Sequence, residues 1–354
     1  MKIIHAADLH LGSRLSSLPV GEIRDKRKNE ILKSFRNLID YAKDNDVHVI
    51  MLSGDVFDSN APFKKDKEFF YKAIEANKDI TFLYLRGNHD TEESLEKSFP
   101  NLKTFSTETW STYDFDNISI SGIELSSLNK SSLYSSLSLD KDKFNIVMMH
   151  GDINSKGKDY IDIKKLVKKN IDYLALGHIH QYGEYVIDSR GIAIYPGCLD
   201  GRGFDELGEK GFVVLDIKDN KLEHRFISFS SRMILEKEID ISSASSLYEA
   251  QELVRKELKD ISKESLIKVI LNGRVNFDIS TIEKDIHDFI KDGFFYVKVE
   301  SKLRFAIDIN SYKNDFSLKG EFVRQVSSNT EYSEEEKELI LNIGIKLLNG
   351  EEVK

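Results

Sequence analysis

At 354 residues and 40.6 kDa, the chain exceeds what one hydrophobic core usually organises, so two domains are expected, a larger one of about 200 to 250 residues and a smaller one. Hydrophobic residues make up 40% and charged residues 31%, with no apolar run near the roughly 18 residues that span a bilayer, which excludes a membrane protein. The formal net charge of −9 excludes a surface coated for nucleic acid, so any field that binds phosphate has to be local.

Lys2 to Ala7 reads as a first buried strand, too short for a signal peptide, and the mature chain is expected to begin here. Asp8-Leu9-His10 follows, a carboxylate and an imidazole two positions apart on one side of extended chain, where both can reach one ion. His5, inside the strand, reads as a core or sheet-surface histidine. Glu22 to Lys43 has helical spacing, with Ile31, Phe35, Leu38, Ile39 and Ala42 on its apolar stripe. Its first half carries Arg24, Lys26, Arg27, Lys28, Lys33 and Arg36, the best basic patch in the chain. A solvated helix face is the favoured reading there, and DNA contact the other.

Val47 to Leu52 is a second buried run. It feeds Gly54-Asp55-Val56-Phe57-Asp58, a glycine and two carboxylates three positions apart, and Asp55 is the candidate for a residue touching both metals of a dinuclear site. After a helix from Phe63 to Asn77, strand Ile80 to Leu85 delivers Arg86-Gly87-Asn88-His89-Asp90. The Asn88 carbonyl oxygen is a neutral hard ligand, and His89 can transfer a proton or hold a phosphoryl oxygen. Asp90 can orient the His89 ring by accepting its other proton.

Thr104 to Asp140 breaks into short edge strands and serine-rich loops with no chemistry assigned. Strand Phe144 to Met149 then ends in His150-Gly151-Asp152, a helix is predicted over Ile163 to Lys169, and strand Ile171 to Leu176 ends in Gly177-His178-Ile179-His180. Five buried strands thus release Asp, His or Asn, and in open α/β sheets the ligand sits in the crevice outside the carboxyl ends of the strands.

Ile192 to Tyr195, Gly211 to Ile217 and Lys221 to Ser230 read as further strands, the last two joined by an Asp219-Asn220 hairpin turn. They are expected to make the second sheet of a sandwich with helices outside. The loop from Gly197 to Gly211, between the first of these strands and the other two, holds Cys198, the single cysteine, which excludes a disulfide framework or a thiolate zinc site and points to a reducing cytosol. It also holds Arg202, which either reaches a substrate phosphate or is a solvated loop arginine. Beyond Met233, helix Leu247 to Leu258, strand Leu266 to Asn272, helix Ile279 to Lys291 and strand Phe294 to Glu300 form a separate small α/β unit. Ser333 to Glu336 is a capping box opening a helix from Glu334 to Asn349 that Gly350 stops. That helix is apolar nearly all round and has to be covered on more than one side, by its own domain or by a partner. The expected boundaries are residues 1–230, 231–312 and 313–354.

The five strand-end sets, in this order, resemble the calcineurin-like metallophosphoesterase superfamily over roughly residues 1–230. The opening Ile-His-Ala-Ala-Asp-Leu-His-Leu-Gly-Ser, the Gly54 to Asp58 set, Tyr195-Pro196-Gly197, Gly208-Glu209-Lys210-Gly211 and Gly320-Glu321-Phe322-Val323-Arg324 are similar to the SbcD-type DNA repair exonuclease subunits. The resemblance implies a two-sheet metallophosphoesterase sandwich flanked by helices, a small α/β capping domain and a helical C-terminal tail. It implies that Asp8, His10, Asp55 and His180 hold one ion, and that Asp55, Asn88, His150 and His178 hold the other. His89 matches the catalytic histidine and Asp90 the acid that orients it. Some nuclease relatives carry histidine at the place of Asp58. Manganese is the implied metal; iron, zinc and magnesium are open by ligand type. The implied activity is DNA exonuclease and endonuclease cleavage in repair and recombination, in the cytoplasm, as a homodimer working with an SbcC-like coiled-coil ATPase. A small-molecule phosphodiesterase or phosphatase on the same fold is the alternative, and a non-catalytic scaffold the third reading.

Overall fold

The computed structural model describes the chain except residues 59–61, 92–93, 127–128, 130, 306–311, 349 and 351–354. Its contacts divide it into Met1–Ile234 and Leu235–Lys354. The last residue of the expected C-terminal helix, Asn349, lies outside the described residues.

In the first unit the elements are β1 (Lys2–Ala6), α1 (Glu22–Asp44), β2 (Val49–Ser53), α2 (Lys64–Glu75), β3 (Thr81–Leu85), β4 (Leu102–Thr104), β5 (Ser111–Phe115), β6 (Ile118–Gly122), β7 (Phe144–His150), β8 (Tyr173–Gly177), β9 (Gly183–Val186), β10 (Ile192–Tyr195), β11 (Gly211–Lys218) and β12 (Lys221–Ser228). They form two six-stranded sheets, ordered β12-β11-β1-β2-β3-β4 and β5-β6-β7-β8-β10-β9. Within the first sheet β1, β2, β3 and β4 run parallel, and within the second β6, β7, β8 and β10 do.

This corrects the expected division of strands. The hairpin β11–β12 joins the first sheet, pairing antiparallel with β1 in the register Ile3↔Leu215 and His5↔Val213. The physical reason is that β1, buried on both faces, needs a partner on each edge, and the apolar β11 supplies it. The turn is as expected: Asp219 and Asn220 both take positive φ, 50° and 59°, as a two-residue primed turn requires. The second sheet instead contains the histidine-bearing strands β7 and β8.

The core lies between the sheets. Ile3, Met51, Leu83 and Leu85 from the first face Ile120, Ile146, Met148 and Ala175 from the second, with Val213 and Leu215 of β11 extending the layer. On the outer face of the first sheet Phe35 of α1 stacks on Phe70 of α2 and lies near Phe82 of β3, so the helical stripe is core as its spacing predicts. The outer face of the second sheet is covered by loops rather than long helices, through Ile123, Leu133, Ile161 and Leu166. The helix expected over 163–169 is only a 3-10 turn, Ile163–Lys165, because Lys168 and Asn170 both adopt φ near 61° and stop it.

The second unit contains β13 (Ile234–Asp240), α3 (Leu247–Leu258), β14 (Leu266–Asn272), β15 (Arg274–Val275), α4 (Ile282–Ile290), β16 (Tyr296–Ser301), β17 (Arg304–Phe305), α5 (Leu318–Ser328) and α6 (Glu334–Leu348). The sheet β13-β14-β16, with β14 and β16 parallel, carries α3 and α4 over an aliphatic core that includes Val254, Val269, Ile286 and Val297. Sequence reasoning missed β13 and α5. The capping box is present: Ser333 N donates to Glu336 Oε2 at 2.7 Å, and Glu336 N to Ser333 Oγ at 3.2 Å. Helix α6 is covered on one side only, where Leu341 and Ile345 pack with Val323 and Val326 of α5. Leu339, Ile343 and Leu347 stay 60%, 38% and 58% exposed, so the expected covering on several sides is not met within this chain's described residues.

Candidate metal centre

Parallel strands in both sheets direct their carboxyl ends to one crevice, and the chain leaves each strand by a sharp bend. Asp8, His10, Asp55 and His178 take positive φ (51°, 46°, 50° and 105°), a conformation that costs a residue with a side chain about 1–3 kcal/mol and concentrates at functional sites. The β1 and β2 ends stay paired while they bend: Asp8 N donates to Gly54 O, and His10 N to Asp55 O, both at 3.0 Å. Glycine is required at 54, where φ is 95° and a Cβ would lie 2.1 Å from the His150 ring.

The side chains converge in two groups, Asp8 with His10 and His180, and Asp55 with His150 and His178. In each group the donor atoms lie within 4.8 Å of one another. His10 Nε2 and His180 Nε2 face each other at 3.0 Å. Asn88 Oδ1 lies 3.0 Å from both His150 Nε2 and His178 Nδ1, and Asp55 Oδ2 is 3.4 Å from His150 Nε2. Asp55 Oδ1 accepts from His89 N at 2.8 Å, while His178 N donates to both Asp8 oxygens at 3.1 Å. All seven expected ligands are therefore brought together, including Asp8 and His178 from strand ends 170 positions apart.

The rings are held by their other nitrogens. His150 Nδ1 donates to Ser53 O at 2.9 Å and His180 Nδ1 to Glu206 Oε1 at 2.7 Å, so that when either ring is neutral its lone pair is on Nε2, turned into the crevice. His10 Nδ1 is buried with no hydrogen-bond partner; Asp58 Oδ1 is 3.2 Å away without the alignment of a hydrogen bond. Lone pairs facing one another at contact distance, an orphaned imidazole nitrogen and two buried carboxylates fit a pair of divalent cations, with oxygen and imidazole donors and no thiolate.

Electrostatics is severe without cations. Burial pushes Asp8 up to about 6, against the pull of the His150 and His180 charges. Burial drives His10 down to about 4. For His150 burial also acts downward, but the Asp55 carboxylate outweighs it and lifts the ring to about 9. Burial works to raise Asp55, and the His150 hydrogen bond and charge overcome it, holding the carboxyl far below its usual range.

Three placements differ from expectation. The Asp90 carboxylate accepts from the backbone N–H groups of Val56, Phe57 and Gly87 at 3.0–3.2 Å, bracing the two loops that carry Asp55 and Asn88, and does not take the His89 ring proton. His89 Nδ1 instead donates to Asp58 O at 3.2 Å, which leaves Nε2 to face a ligand. Arg202 keeps 19% of its side chain exposed and is engaged by acids: it forms ion pairs with Asp58 and Glu206, and its Nη2 approaches His180 Nδ1 at 3.3 Å. Glu206 was missed. It is 3% exposed, joins His180 to Arg202, and stands beside the exposed Asp205, from which no sequence pattern separates it. His5, read as a core histidine, is one: its ring bonds Tyr173 Oη at 2.8 Å and donates to Leu176 O at 3.1 Å.

Among known proteins, this chain is 27% identical over 301 residues to the uncharacterized metallophosphoesterase YhaO of Bacillus subtilis, with 77% of this chain and 72% of that protein covered. It is 22% identical to the DNA double-strand break repair protein Mre11 of Sulfolobus acidocaldarius, with 97% and 94% covered. To the SbcD subunit of the SbcCD nuclease of Staphylococcus saprophyticus it is 28% identical, with 64% and 68% covered. The calcineurin-like phosphoesterase family model matches residues 1–182, the stretch that supplies Asp8, His10, Asp55, Asn88, His150, His178 and His180. With this match over more than half of the chain, on a two-sheet α/β frame whose strand ends gather clusters of carboxylates and imidazoles that could hold metal ions, the protein belongs to the calcineurin-like phosphoesterases and is a phosphoester-cleaving hydrolase.

Proposed function

We propose that this protein is a dinuclear-metal DNA nuclease, cleaving phosphodiesters in repair or recombination. The observation that carries the metal reading is the pairing of two donor groups in one crevice, Asp8, His10 and His180 beside Asp55, Asn88, His150 and His178. In this reading Asp55 serves both groups: its carboxylate lies 3.4 Å from His150 Nε2, and its backbone carbonyl accepts from His10 N at 3.0 Å. Two manganese ions held there would lower the pKa of a water and offset charge developing on the phosphate. The chain's own residues prepare the rest. Glu206 and Ser53 O fix the tautomers of His180 and His150, Asp90 holds the Asp55 and Asn88 loops in register, and His89 presents Nε2, which in the imidazolium form, with Nδ1–H still on Asp58 O, can give its proton to a leaving alkoxide and return to neutral imidazole.

DNA is favoured over a small phosphodiester by similarity over 97% of the chain to a protein named for double-strand break repair, which extends through the second unit. In this reading Leu235–Lys354 selects DNA and the α5–α6 pair docks on an SbcC-like coiled-coil ATPase. A homodimer in the cytoplasm completes the assignment. The net charge of −9 favours the alternative, a small-molecule phosphodiesterase or phosphatase. The deciding experiment offers the manganese-loaded protein end-labelled duplex DNA, single-stranded circles and small phosphodiesters side by side. Hydrolysis of the small esters with no cleavage of either DNA overturns the nuclease reading.

A further inference from the structure

Beside the metal centre the first unit contains a cavity of about 250 Å³ with no part in the chemistry above. One wall is the limb that returns from His150: Asp152 N donates to Asp159 O and Ile161 N to Asp152 O, both at 2.9 Å, so residues 159–162 are clipped to the chain two positions after His150. A Cβ at Gly151, the residue after His150, would lie 2.2 Å from Asp159 O, so the limb that lines the cavity packs directly against the chain that carries His150. Opposite it stand Leu125, Leu133 and Tyr134, and the Tyr134 hydroxyl accepts from Asp162 N at 2.7 Å, tying the two sides together.

The lining has a definite chemistry. Leu125 and Leu133 make an apolar floor, and Tyr134 and Tyr160 supply aromatic faces. Lys158 and Lys165 are matched by Asp159 and Asp162, so the formal charge is balanced and the cavity favours a neutral group over a phosphate. The amide of Asn129 is spent on Thr107 O and Glu124 O, bracing the wall from behind. The volume falls below the roughly 300–1,000 Å³ of pockets for drug-sized ligands, and suits one planar ring system. The neutral, planar part of a nucleic-acid substrate is its base, and a base has a face for stacking whatever its sequence.

We infer that this cavity receives one unpaired nucleobase flanking the phosphate held at the metal centre, so that the enzyme takes frayed or single-stranded termini in preference to closed duplex. The inference rests on the nuclease reading and deepens it. An unpaired base is recognised by stacking on aromatic side chains without regard to sequence, whereas a paired one would first have to leave the helix.

The test uses the full chain with manganese and a short duplex bearing one unpaired terminal 2-aminopurine, at the 3′ or the 5′ end, with abasic versions of both. The variants are Tyr160→Ala, which removes an aromatic face, and Leu125→Trp, which fills the cavity from a half-buried position; methyl p-nitrophenyl phosphate hydrolysis checks that each remains folded. Wild type is expected to bind one of the 2-aminopurine duplexes roughly tenfold more tightly than its abasic version, with a change in fluorescence. Both variants are expected to lose that preference while keeping wild-type affinity for the abasic duplex. Equal wild-type affinity for base and abasic ends overturns the inference alone, as does a preference that survives both variants, which would leave the cavity to another occupant such as a peptide side chain. A wild type that hydrolyses the small ester but binds none of the duplexes overturns the nuclease reading and the inference together.

Discussion

Both units of this protein lay parallel strands against helices, yet among the described residues only the first turns its strand ends into a site. In the second unit the chain leaves β14 through Gly273 and β16 through Lys302, one face packs on aliphatic side chains of α3 and α4, and the polar Lys268 pairs with Glu236 and Glu300 near the surface. In the first, the ends of β1, β2 and β8 bend through positive φ at Asp8, His10, Asp55 and His178, and ionisable groups are buried against one another. A crevice at the end of parallel strands is thus only permissive. A site also needs a backbone strained to make donors converge and the burial of charges that a folded chain otherwise avoids.

The comparison breaks most sharply at Asp55. Asp55→Asn is expected to lose bound manganese and to lower turnover by more than the about 10²–10⁴ that removal of one acid or base costs, whereas His89→Ala keeps its metal and loses about 10²–10⁴ in kcat. Elemental analysis beside kinetics distinguishes them, and unchanged metal in Asp55→Asn removes Asp55 from the centre. In the second unit the largest expected effect is on stability. Leu341, 3% exposed, packs α6 on α5, and Leu341→Ala is expected to cost about 2–5 kcal/mol in chemical unfolding of that unit. Leu347→Ala, at a position 58% exposed, should stay within about 0.5 kcal/mol of wild type. Equal losses would mean that the exposed stripe is covered by the chain itself. The double variant Leu339→Asp, Leu347→Asp sharpens the same point, since it should leave hydrolysis intact and remove co-purification with the ATPase.

Glu206 tests whether the buried acids beyond the ligands matter. Glu206→Gln is expected to weaken metal binding about 10–100-fold by releasing the His180 ring, read from a manganese titration. An unchanged affinity would show that Arg202 and Lys210 hold the loop without it. His5 marks the boundary between site and core. Burial holds it down at about 3, from an ordinary value of 6.5. The unfolded chain therefore takes up a proton as pH falls through 6.5 while the folded ring stays neutral. The stability contributed by neutral His5 is full above 6.5 and declines down to about pH 3, by at most about 1.4 kcal/mol per pH unit. Metal-free wild type should lose stability relative to His5→Gln across that window, and a difference that does not change with pH would contradict the buried neutral ring.

Much of this was legible in the chain because its signals are local. Helices α1 and α3 and strands β10 and β14 stand where apolar spacing puts them, and the five strand-end sets offered every donor that the crevice gathers. The 3-10 turn at Ile163–Lys165 was not legible, since the left-handed residues that stop it, Lys168 and Asn170, include a lysine that signals no such stop.

By itself the sequence determined the donor types, their order along the chain and the turns that release them, because a strand period and a ligand chemistry are written within a few residues. Tertiary structure alone decided which strands fall in which sheet and that the β11–β12 hairpin completes the first. It also decided that Asp90 spends its carboxylate on loop backbone, that Glu206 rather than Asp205 reaches His180, and that Arg202 is neutralised by Asp58 across 144 positions. These are choices among equivalent polar groups. Burial and distance make them, and both exist only once the chain has folded.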